Sequence, residues 1–243
     1  MIEPKVVLIT GASSGIGEAT ARKLALDGHC LYLGARRTEC LEHLADELVD
    51  SGGTAAFRRL DVTDLADVRS FVEAAHQRFG RVDVVVNNAG VMLLSPLAAL
   101  KIDEWNRMLD VNVRGVLHGI AAALPIMESQ GSGHFVNIAS VGAREVVPTG
   151  AVYCATKFAV RAISEGLRQE SSGEVRVTVV SPGVTESELA ESISDPKARE
   201  DMETYRAVAI PAAAIANAIS FAVAQPSNVD VNEIIIRPTA SAQ

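Results

Sequence analysis

The sequence is poor in cysteine, and its three cysteines show no spacing typical of a metal site or a disulfide framework. Cys30, Cys40 and Cys154 are odd in number and include no CxxC pair. We therefore expect reduced thiols, a cytoplasmic location and no bound metal. Cys154 adjoins Tyr153, but a free cysteine is more often a small packed hydrophobe than a nucleophile.

Long apolar runs and an N-terminal targeting segment are also absent. The longest mostly apolar run, residues 116–127, contains His118 and Pro125 and is too short to cross a bilayer. Residues 1–5 lead directly into a strand-like run without a cleavage site, so we expect no signal peptide. These features predict a protein without a membrane partner.

Basic residues are outnumbered, with 22 Lys and Arg against 30 Asp and Glu and a net charge of −8. This balance argues against nucleic acid or an anionic membrane as a partner. A phosphate site would have to be local, built from a few arginines and backbone amides. With 48% hydrophobic and 21% charged residues, the 243-residue chain can bury the core of one α/β domain spanning residues 1–243. We find no internal repeat, linker or low-complexity segment.

Short apolar, β-branched runs alternate with helical patterns, as in a parallel sheet covered by helices. The predicted strands are residues 5–10, 30–34, 55–60, 82–86, 135–139, 176–180 and 233–237. The predicted helices are residues 18–27, 39–50, 68–79, 103–124, 151–170 and 211–224. Residues 186–208 are polar and poorly periodic, and they predict a mobile cover over a site.

A glycine-rich turn separates the first strand from the first helix. Its candidate cofactor-binding residues are Gly11, Ser13, Ser14, Gly15, Ile16 and Gly17. Such a turn presents backbone N–H groups and the positive end of the helix dipole to an anion. The spacing is GxxxGxG rather than GxGxxG, but its position between strand and helix predicts a dinucleotide site.

The second strand ends in Arg36 and Arg37, where an acidic residue would hold the 2′-hydroxyl of NAD. Two guanidinium groups at this place can neutralise a 2′-phosphate, which favours NADP(H). The alternative is a pair of solvated charges at the start of a helix.

Two further strand ends carry candidate cofactor contacts. Asp61, followed by Val62, can accept a hydrogen bond from an adenine amino group, cap the following turn, or do both. The small residues Ala89 and Gly90 allow a flat cofactor to approach the backbone, and the amide of Asn88 can fix that loop.

Tyr153 and Lys157 stand at positions i and i+4 of a predicted helix and so share one face. A phenol has an ordinary pKa of ~10, and a neighbouring ammonium lowers it. Ser140, at the end of the preceding strand, can donate a hydrogen bond to a carbonyl oxygen. Together the three can exchange a proton while hydride moves elsewhere. The alternative is an ordinary pair on a surface helix.

Asn112 lies in the middle of a predicted helix, where asparagine is a mediocre helix former. Either it is a surface residue, or it turns inward with a water molecule towards Lys157.

Taken together, these motifs resemble the short-chain dehydrogenase/reductase family over nearly the whole chain. The resemblance rests on TGASSGIG at 10–17, Asp61-Val62, NNAG at 87–90, Asn112, Ser140, YCATK at 153–157 and PG at 182–183. It implies a single-domain Rossmann fold with a doubly wound, seven-stranded parallel sheet flanked by helices. It also implies hydride transfer between NADP(H) and the carbonyl or secondary alcohol of a small molecule.

The resemblance further implies a role for each site residue. Tyr153 is the general acid/base, Ser140 polarises the substrate oxygen, Lys157 holds the ribose and lowers the pKa of Tyr153, and Asn112 anchors a relay water. Cofactor contacts at the sixth strand are implied for Pro182, Gly183, Val184 and Thr185. Family members are commonly homotetramers, so we expect a homo-oligomer, either a tetramer or a dimer.

The ending VDVNEIIIRPT, with GVMLL after NNAG, is similar to a branch of serine/3-hydroxy acid dehydrogenases and clavulanate-type aldehyde reductases. This likeness implies a small polar substrate, whose carboxylate Arg144 would bind unless it is a solvated loop charge. Ser187 stands where relatives often carry Thr, and this departure concerns a contact to the cofactor phosphates. The alternatives are a 3-oxoacyl-[acyl-carrier-protein] reductase, disfavoured by the acidic segment 186–203, and a non-catalytic NADP(H)-binding sensor on the same fold.

Overall fold

The computed structural model of the protein describes residues 3–171 and 173–240, which form one domain around a single parallel sheet. The seven strands are β1 (Val6–Thr10), β2 (Cys30–Ala35), β3 (Thr54–Arg59), β4 (Val84–Asn87), β5 (Gly133–Ile138), β6 (Val175–Pro182) and β7 (Glu233–Ile236). Their order across the sheet is β3-β2-β1-β4-β5-β6-β7, and every pair is parallel. The predicted doubly wound, seven-stranded sheet is therefore confirmed.

In the part of the chain that the structure describes, eight α-helices connect the strands and cover both faces of the sheet. They are α1 (Gly15–Leu26), α2 (Thr38–Asp50), α3 (Leu65–Phe79), α4 (Ile102–Leu109), α5 (Gly115–Gln130), α6 (Ala151–Glu170), α7 (Pro196–Tyr205) and α8 (Ala212–Ala224). A π-helical turn, Asp110–Arg114, joins α4 to α5. Short 3₁₀ helices occur at Leu97–Ala99, Val141–Ala143, Glu188–Ser192 and Arg206–Val208.

Two hydrophobic layers hold the helices to the sheet. Because successive strand residues point to opposite faces, Val7 and Ile9 of β1 pack with α1, α2 and α8. Val6 and Leu8 of the same strand face the layer that α3, α5 and α6 complete. The strands are buried on both faces, which explains their continuous apolar sequences.

The chain leaves the centre of the sheet in opposite directions from β1 and β4, which lie side by side. From β1 the strand order runs outward through β2 and β3, whereas from β4 it runs through β5, β6 and β7. Connections from such a pair diverge and leave a crevice at the carboxyl ends of the strands. The glycine-rich turn and the Asn88–Gly90 loop both begin at this crevice.

Two helices differ from the sequence prediction. The helix predicted to end at residue 124 continues as α5 through Pro125 to Gln130. Ala123 and Met127, on either side of this proline, are fully buried, and their burial outweighs the one backbone hydrogen bond that proline removes.

Residues 186–208, hereafter the cover segment, contain α7 rather than irregular chain alone. Asp195 caps this helix by accepting a hydrogen bond from the N–H of Ala198 (2.9 Å), and Pro196 occupies its first turn. Asp followed by Pro is a helix-start signal that the polar, poorly periodic composition concealed.

Across residues 3–171 and 173–240, no helix is both long enough and apolar enough to cross a membrane. The same residues contain no group of three or more His, Cys, Asp or Glu side chains placed to hold a metal ion.

Candidate active site

A cavity of about 1270 Å³ opens at the carboxyl ends of the strands, above the junction of β1 and β4. It is lined by nearly all of the residues that the sequence singled out: Gly11, Ser13, Ser14, Gly15, Ile16, Arg36, Arg37, Asp61, Val62, Asn88, Ala89, Gly90, Ser140, Tyr153, Lys157, Pro182, Gly183, Val184 and Thr185. Gly17 and Asn112 do not line the cavity themselves but lie directly behind residues that do. Residues from six strand ends and from α6 therefore meet in one site.

The glycine-rich turn is packed too closely for larger residues. Gly11 has a φ of +66°, and a Cβ on it would lie 2.8 Å from Cα of Ala89. A Cβ on Gly17 would lie 2.3 Å from the carbonyl oxygen of Gly11. These glycines allow the turn to fold tightly against the Asn88–Gly90 loop.

The first turn of α1 is open to an anion from the cavity. Ser14 is the N-cap residue, and within the described chain no side chain caps that turn. The N–H groups at the start of a helix have no intrahelical partners and carry the positive end of the helix dipole. The wall of the cavity thus fits the phosphates of a dinucleotide.

Asn88 holds the glycine-rich turn in place, whereas the sequence predicted only that its amide fixes its own loop. Its Nδ2 donates hydrogen bonds to the carbonyl oxygens of Thr10 (2.9 Å) and Gly11 (3.1 Å). The Thr10 hydroxyl in turn accepts from the backbone N–H groups of Asn88 (3.0 Å) and Ala89 (3.1 Å). Sequence reasoning missed this role of Thr10, because it depends on the adjacency of β1 and β4.

The two arginines after β2 have different surroundings. The Arg37 guanidinium donates to the hydroxyls of Ser13 (3.3 Å) and Ser14 (2.8 Å) and forms an ion pair with Glu188 of the cover segment (2.7 Å). Arg36 is exposed and lines the cavity, and it has no hydrogen bond or ion pair with any residue that the structure describes. Arg36 is therefore the arginine that is available to a bound phosphate.

Asp61 caps the turn that follows β3. Its Oδ1 accepts hydrogen bonds from the hydroxyl (2.8 Å) and the backbone N–H (3.0 Å) of Thr63, and these bonds hold its pKa below the ordinary value. The side chain also lines the cavity, so the capping role and a cofactor contact are compatible. The next carbonyl, that of Val62, is 2.9 Å from Nδ1 of His118.

Lys157 is one turn from Tyr153 on α6, and only 6% of the residue is exposed. Its Nζ donates to the carbonyl oxygen of Ile138 (2.9 Å) and lies 5.8 Å from the centre of the Tyr153 ring. Burial lowers the pKa of Lys157 to about 8. The amine thus lies between the end of β5 and the phenol, facing the cavity.

The pKa of Tyr153 moves in the direction opposite to the prediction. Burial of the phenol raises its pKa to about 12, and hydrogen bonding with Ser140 offsets only part of this rise. The expectation that Lys157 lowers this pKa is wrong for this structure, because burial of the phenol dominates the shift and Lys157 is not among its causes. Tyr153 is accordingly protonated at neutral pH.

Ser140 ends β5 and caps the short helix Val141–Ala143. Its Oγ accepts a hydrogen bond from the N–H of Gly142 (3.1 Å), which leaves the hydroxyl proton free for donation. The hydroxyl is therefore oriented by the backbone and can donate to an oxygen atom placed beside Tyr153.

Asn112 turns inward, and the alternative of a surface residue is wrong. It sits in the π-helical turn, is 1% exposed, and exchanges two hydrogen bonds with the backbone of Val91 (2.8 and 2.9 Å). Its Nδ2 also donates to Oγ1 of Thr156 (3.1 Å), a second residue that sequence reasoning missed. A Cβ on Gly90 would lie 3.4 Å from Oδ1 of Asn112 and 3.8 Å from Nζ of Lys157. Both side chains therefore flank Gly90, and a π-helical turn is frequent at functional sites.

The cover segment lies across the cavity and closes it near Tyr153. Tyr153 packs against an apolar cluster made of Leu94 with Ile193 and Ala198 of the cover. Farther along, the Ser194 hydroxyl is hydrogen-bonded to Lys101 and Glu104, at the start of α4. The cover is thus held to the body of the domain at the end of the cavity where Tyr153 lies.

Arg144 does not reach the cavity. Its guanidinium forms an ion pair with Glu233 at the start of β7 (2.6 Å), and the same carboxylate also attracts Arg161 (3.7 Å). The hypothesis that Arg144 binds a substrate carboxylate is therefore wrong, because the guanidinium is already neutralised outside the site.

The sequence profile of the family described as short chain dehydrogenase matches residues 5–198. An uncharacterized oxidoreductase of Staphylococcus saprophyticus is 47% identical over 244 residues, covering 99% of this chain and 98% of its own.

Solved structures agree with this match. An alcohol dehydrogenase of Thermococcus sibiricus complexed with 5-hydroxy-NADP has a TM-score of 0.89 and 34% identity, covering 99% of both chains. The closed form of a serine dehydrogenase complexed with NADP⁺ has a TM-score of 0.91 and 30% identity, covering 98% of this chain and 96% of its own. A Burkholderia phymatum short chain dehydrogenase/reductase in complex with NAD has a TM-score of 0.88 and 28% identity, covering 96% and 89%. Profile, sequence and fold agree with the motifs around the cavity: this chain is an oxidoreductase of the short-chain dehydrogenase/reductase family.

Proposed function

We propose that the protein transfers hydride between NADP(H) and a carbonyl or secondary alcohol of a small polar substrate. One observation carries this proposal. Ser140 and Tyr153, with Lys157 beside them, meet at one end of a cavity whose other end is the glycine-rich turn. A nicotinamide cofactor extended between the two ends would bring its reactive ring next to a proton donor.

The residues present fit such a cofactor, which when bound supplies the hydride. The open first turn of α1 would hold the phosphates, and Asp61 would accept from the adenine amino group. Lys157 would hold the ribose, while Val184 and Thr185 would contact the nicotinamide amide. The Thr185 hydroxyl already donates to the carbonyl oxygen of Gly183 (3.0 Å), which fixes this side chain at the end of β6.

Tyr153 is the proton donor in this proposal. Because its pKa is about 12, Tyr153 carries its proton at neutral pH and can donate it to the carbonyl oxygen as hydride reaches the carbon. The Ser140 hydroxyl donates a second hydrogen bond to that oxygen and stabilises the developing charge. Asn112, fixed beside Gly90, would anchor a water molecule that returns a proton through Lys157.

The preference for NADP(H) rests on Arg36. The residues directly after β2 are Arg36 and Arg37, and the Arg36 guanidinium, which has no hydrogen bond or ion pair among the described residues, lines the cavity at this point. The neighbours solved with NADP forms are consistent with this preference, whereas the neighbour solved with NAD shows that the fold accepts either cofactor.

The proposed substrate class rests on a similar solved structure and on the C-terminal sequence. The serine dehydrogenase neighbour and the similar C-terminal sequence favour a small hydroxy or oxo compound. With Arg144 engaged elsewhere, a substrate carboxylate would need another cation, and Arg107, Arg206 and Arg237 also line the cavity.

The test is turnover by the wild type and by Tyr153→Phe. Oxidation of NADPH and NADH would be followed with small aldehydes, ketones and 3-oxo acids, and NADP⁺ reduction with serine and 3-hydroxy acids. We expect NADPH to be preferred, and Tyr153→Phe to bind NADPH but lose about 100-fold or more in kcat. Tyr205→Phe is the matched control, since Tyr205 lines the same cavity. Normal turnover by Tyr153→Phe would exclude the proposed mechanism, and cofactor binding without any wild-type turnover would favour a sensor.

We also infer that the protein is a homo-oligomer, a tetramer or a dimer. Leu117 of α5 and Phe158 of α6 are large apolar side chains that remain substantially exposed on neighbouring helices. Packing α6 against its counterpart in a second copy would bury them. Light scattering coupled to gel filtration gives the mass, and a monomer at micromolar concentration would contradict this inference.

A further inference from the structure

The contact between Arg37 and Glu188 joins two parts of the site that are 151 residues apart in sequence. Nη2 of Arg37 donates to Oε2 of Glu188 (2.7 Å) and to the Ser14 hydroxyl (2.8 Å), and Nε donates to the Ser13 hydroxyl (3.3 Å). One guanidinium therefore holds both the glycine-rich turn and the first turn of the cover segment.

A second arginine also forms a hydrogen bond with the first turn of the cover segment. Arg206, near the end of the cover, donates to the backbone carbonyl oxygen of Ser187 (2.6 Å). A Cβ on Gly15 would lie 3.3 Å from Cβ of Ser187, so the cover rests directly on the glycine-rich turn. Ser187 and Glu188 thus lie over the place that the phosphates of a dinucleotide would occupy.

Arg37 is poorly placed to recognise a 2′-phosphate in this state. Bidentate recognition of phosphate uses two parallel N–H groups of the guanidinium, and Nε and Nη2 of Arg37 already point to Ser13, Ser14 and Glu188. The neighbouring Arg36 lines the cavity with no such engagement in the described chain.

Resting on the proposed use of NADP(H), we propose that the two arginines divide their tasks. Arg36 binds the 2′-phosphate. Arg37 is a positioning residue that, with Glu188, forms a clasp between the cover segment and the glycine-rich turn and slows the release of either nicotinamide cofactor.

The exposure of the ion pair suits a contact that opens in every cycle. Each side chain is about half exposed, at 48% for Arg37 and 50% for Glu188. Exposed ion pairs contribute little to the stability of a fold, so opening this clasp leaves the domain intact. Release of the cofactor requires the cover to open, a step that limits kcat in many enzymes.

The test measures cofactor release from the full-length protein by stopped-flow fluorescence, with NADPH and with NADH. We expect Glu188→Gln and Arg37→Gln each to raise the dissociation rates of both cofactors by a similar factor, about 2- to 5-fold. The double variant should be no faster than either single variant, because both substitutions remove the same contact. Glu191→Gln is the matched control, since it removes the same charge from the same 3₁₀ turn without a hydrogen bond to Arg37 in the described residues.

Arg36→Gln separates the two tasks. It should weaken NADPH binding by about 10-fold or more and leave NADH binding unchanged, because only NADPH has the 2′-phosphate. If Arg37→Gln weakens the binding of NADPH but not of NADH, or if Glu188→Gln leaves both dissociation rates unchanged, the proposed role of the clasp is wrong. If Arg36→Gln affects both cofactors equally, the proposed NADP(H) preference fails, while the clasp is still decided by the rates of the other variants.

Discussion

At the scale of single residues, the site contains two buried titratable groups whose protonated forms respond oppositely to burial. The phenol of Tyr153 is neutral when protonated, so burial raises its pKa to about 12. The amine of Lys157 is charged when protonated, so burial lowers its pKa to about 8. Both shifts disfavour the charged form, but both groups keep their protons at pH 7, so a neutral proton donor lies beside a protonated amine.

Lys157 should therefore reduce the stability of the folded protein. At pH 7 the amine is protonated in both states, and a shift of roughly 2.5 pKa units corresponds to a cost of ~3 kcal/mol in the folded state. We expect Lys157→Met to raise the free energy of unfolding at pH 7 by about 2 kcal/mol while abolishing activity, because the hydrogen bond to Ile138 is lost as well.

The pH dependence supplies a second check on this prediction. Between pH 8 and pH 10.5 the folded wild type releases the proton that the unfolded chain still binds, so wild-type stability rises and the advantage of Lys157→Met disappears. Urea unfolding at pH 7 and pH 10.5 measures both values. Lys197→Met, which alters an exposed amine, is the control. A destabilised Lys157→Met at pH 7 would show that the amine is not desolvated.

At the scale of elements, the site depends on contacts between loops that follow neighbouring strands. The Asn88 side chain connects the loop after β4 to the carbonyl oxygens at the end of β1. These are the carbonyls that fix the glycine-rich turn in a shape open to phosphate.

We expect Asn88→Ala to loosen this turn. Loss of the two hydrogen bonds should lower the free energy of unfolding by about 1–2 kcal/mol and weaken cofactor binding by about 10-fold, since two backbone carbonyls lose their donor. Calorimetric titration with NADPH and thermal unfolding give the two quantities. Asn106→Ala is the control, because Asn106 lines the same cavity but is exposed. Unchanged cofactor affinity in Asn88→Ala would mean that the turn holds its shape without the asparagine.

At the scale of the whole molecule, the edge of the sheet opposite the cavity carries buried histidines. His134 is 1% exposed, and burial together with Arg176 and Lys5 lowers its pKa well below the ordinary value. His29, next to β2, has a pKa lowered mainly by burial. Both histidines are neutral in the folded protein at pH 7.

The free energy of unfolding should therefore fall as the pH drops below about 6.5. In this range the histidines bind protons in the unfolded chain but remain neutral in the folded protein. Each such histidine contributes a slope of about 1.4 kcal/mol per pH unit until its folded pKa is reached. We expect His134→Gln to reduce the slope of the free energy of unfolding against pH by the contribution of one proton. Urea unfolding between pH 5 and pH 7 measures this slope. The matched control is His43→Gln, because the His43 side chain is 73% exposed. Equal slopes for the wild type and His134→Gln would contradict the buried, neutral state.

Local sequence patterns were sufficient to predict the architecture and which residues meet at the candidate site. The strands follow from short, continuous apolar runs and the helices from a hydrophobic period of 3.6, and both patterns are local properties of the chain. The glycine-rich turn, Ser140 and the Tyr153–Lys157 pair were found in the same way, because each lies at a strand end or on one helix face. Since the carboxyl ends of parallel strands meet at one edge, predicting the order of the elements was enough to predict that these residues meet.

The partners of the polar and charged side chains, in contrast, depend on contacts between distant segments. Asn112 turns to the backbone of Val91, Arg37 to Glu188, and Arg144 to Glu233, and each pairing joins segments that no local pattern connects. The same holds for the pKa of Tyr153. A sequence places an amine one turn from a phenol, but burial depends on every element that encloses the pair, and here burial dominates.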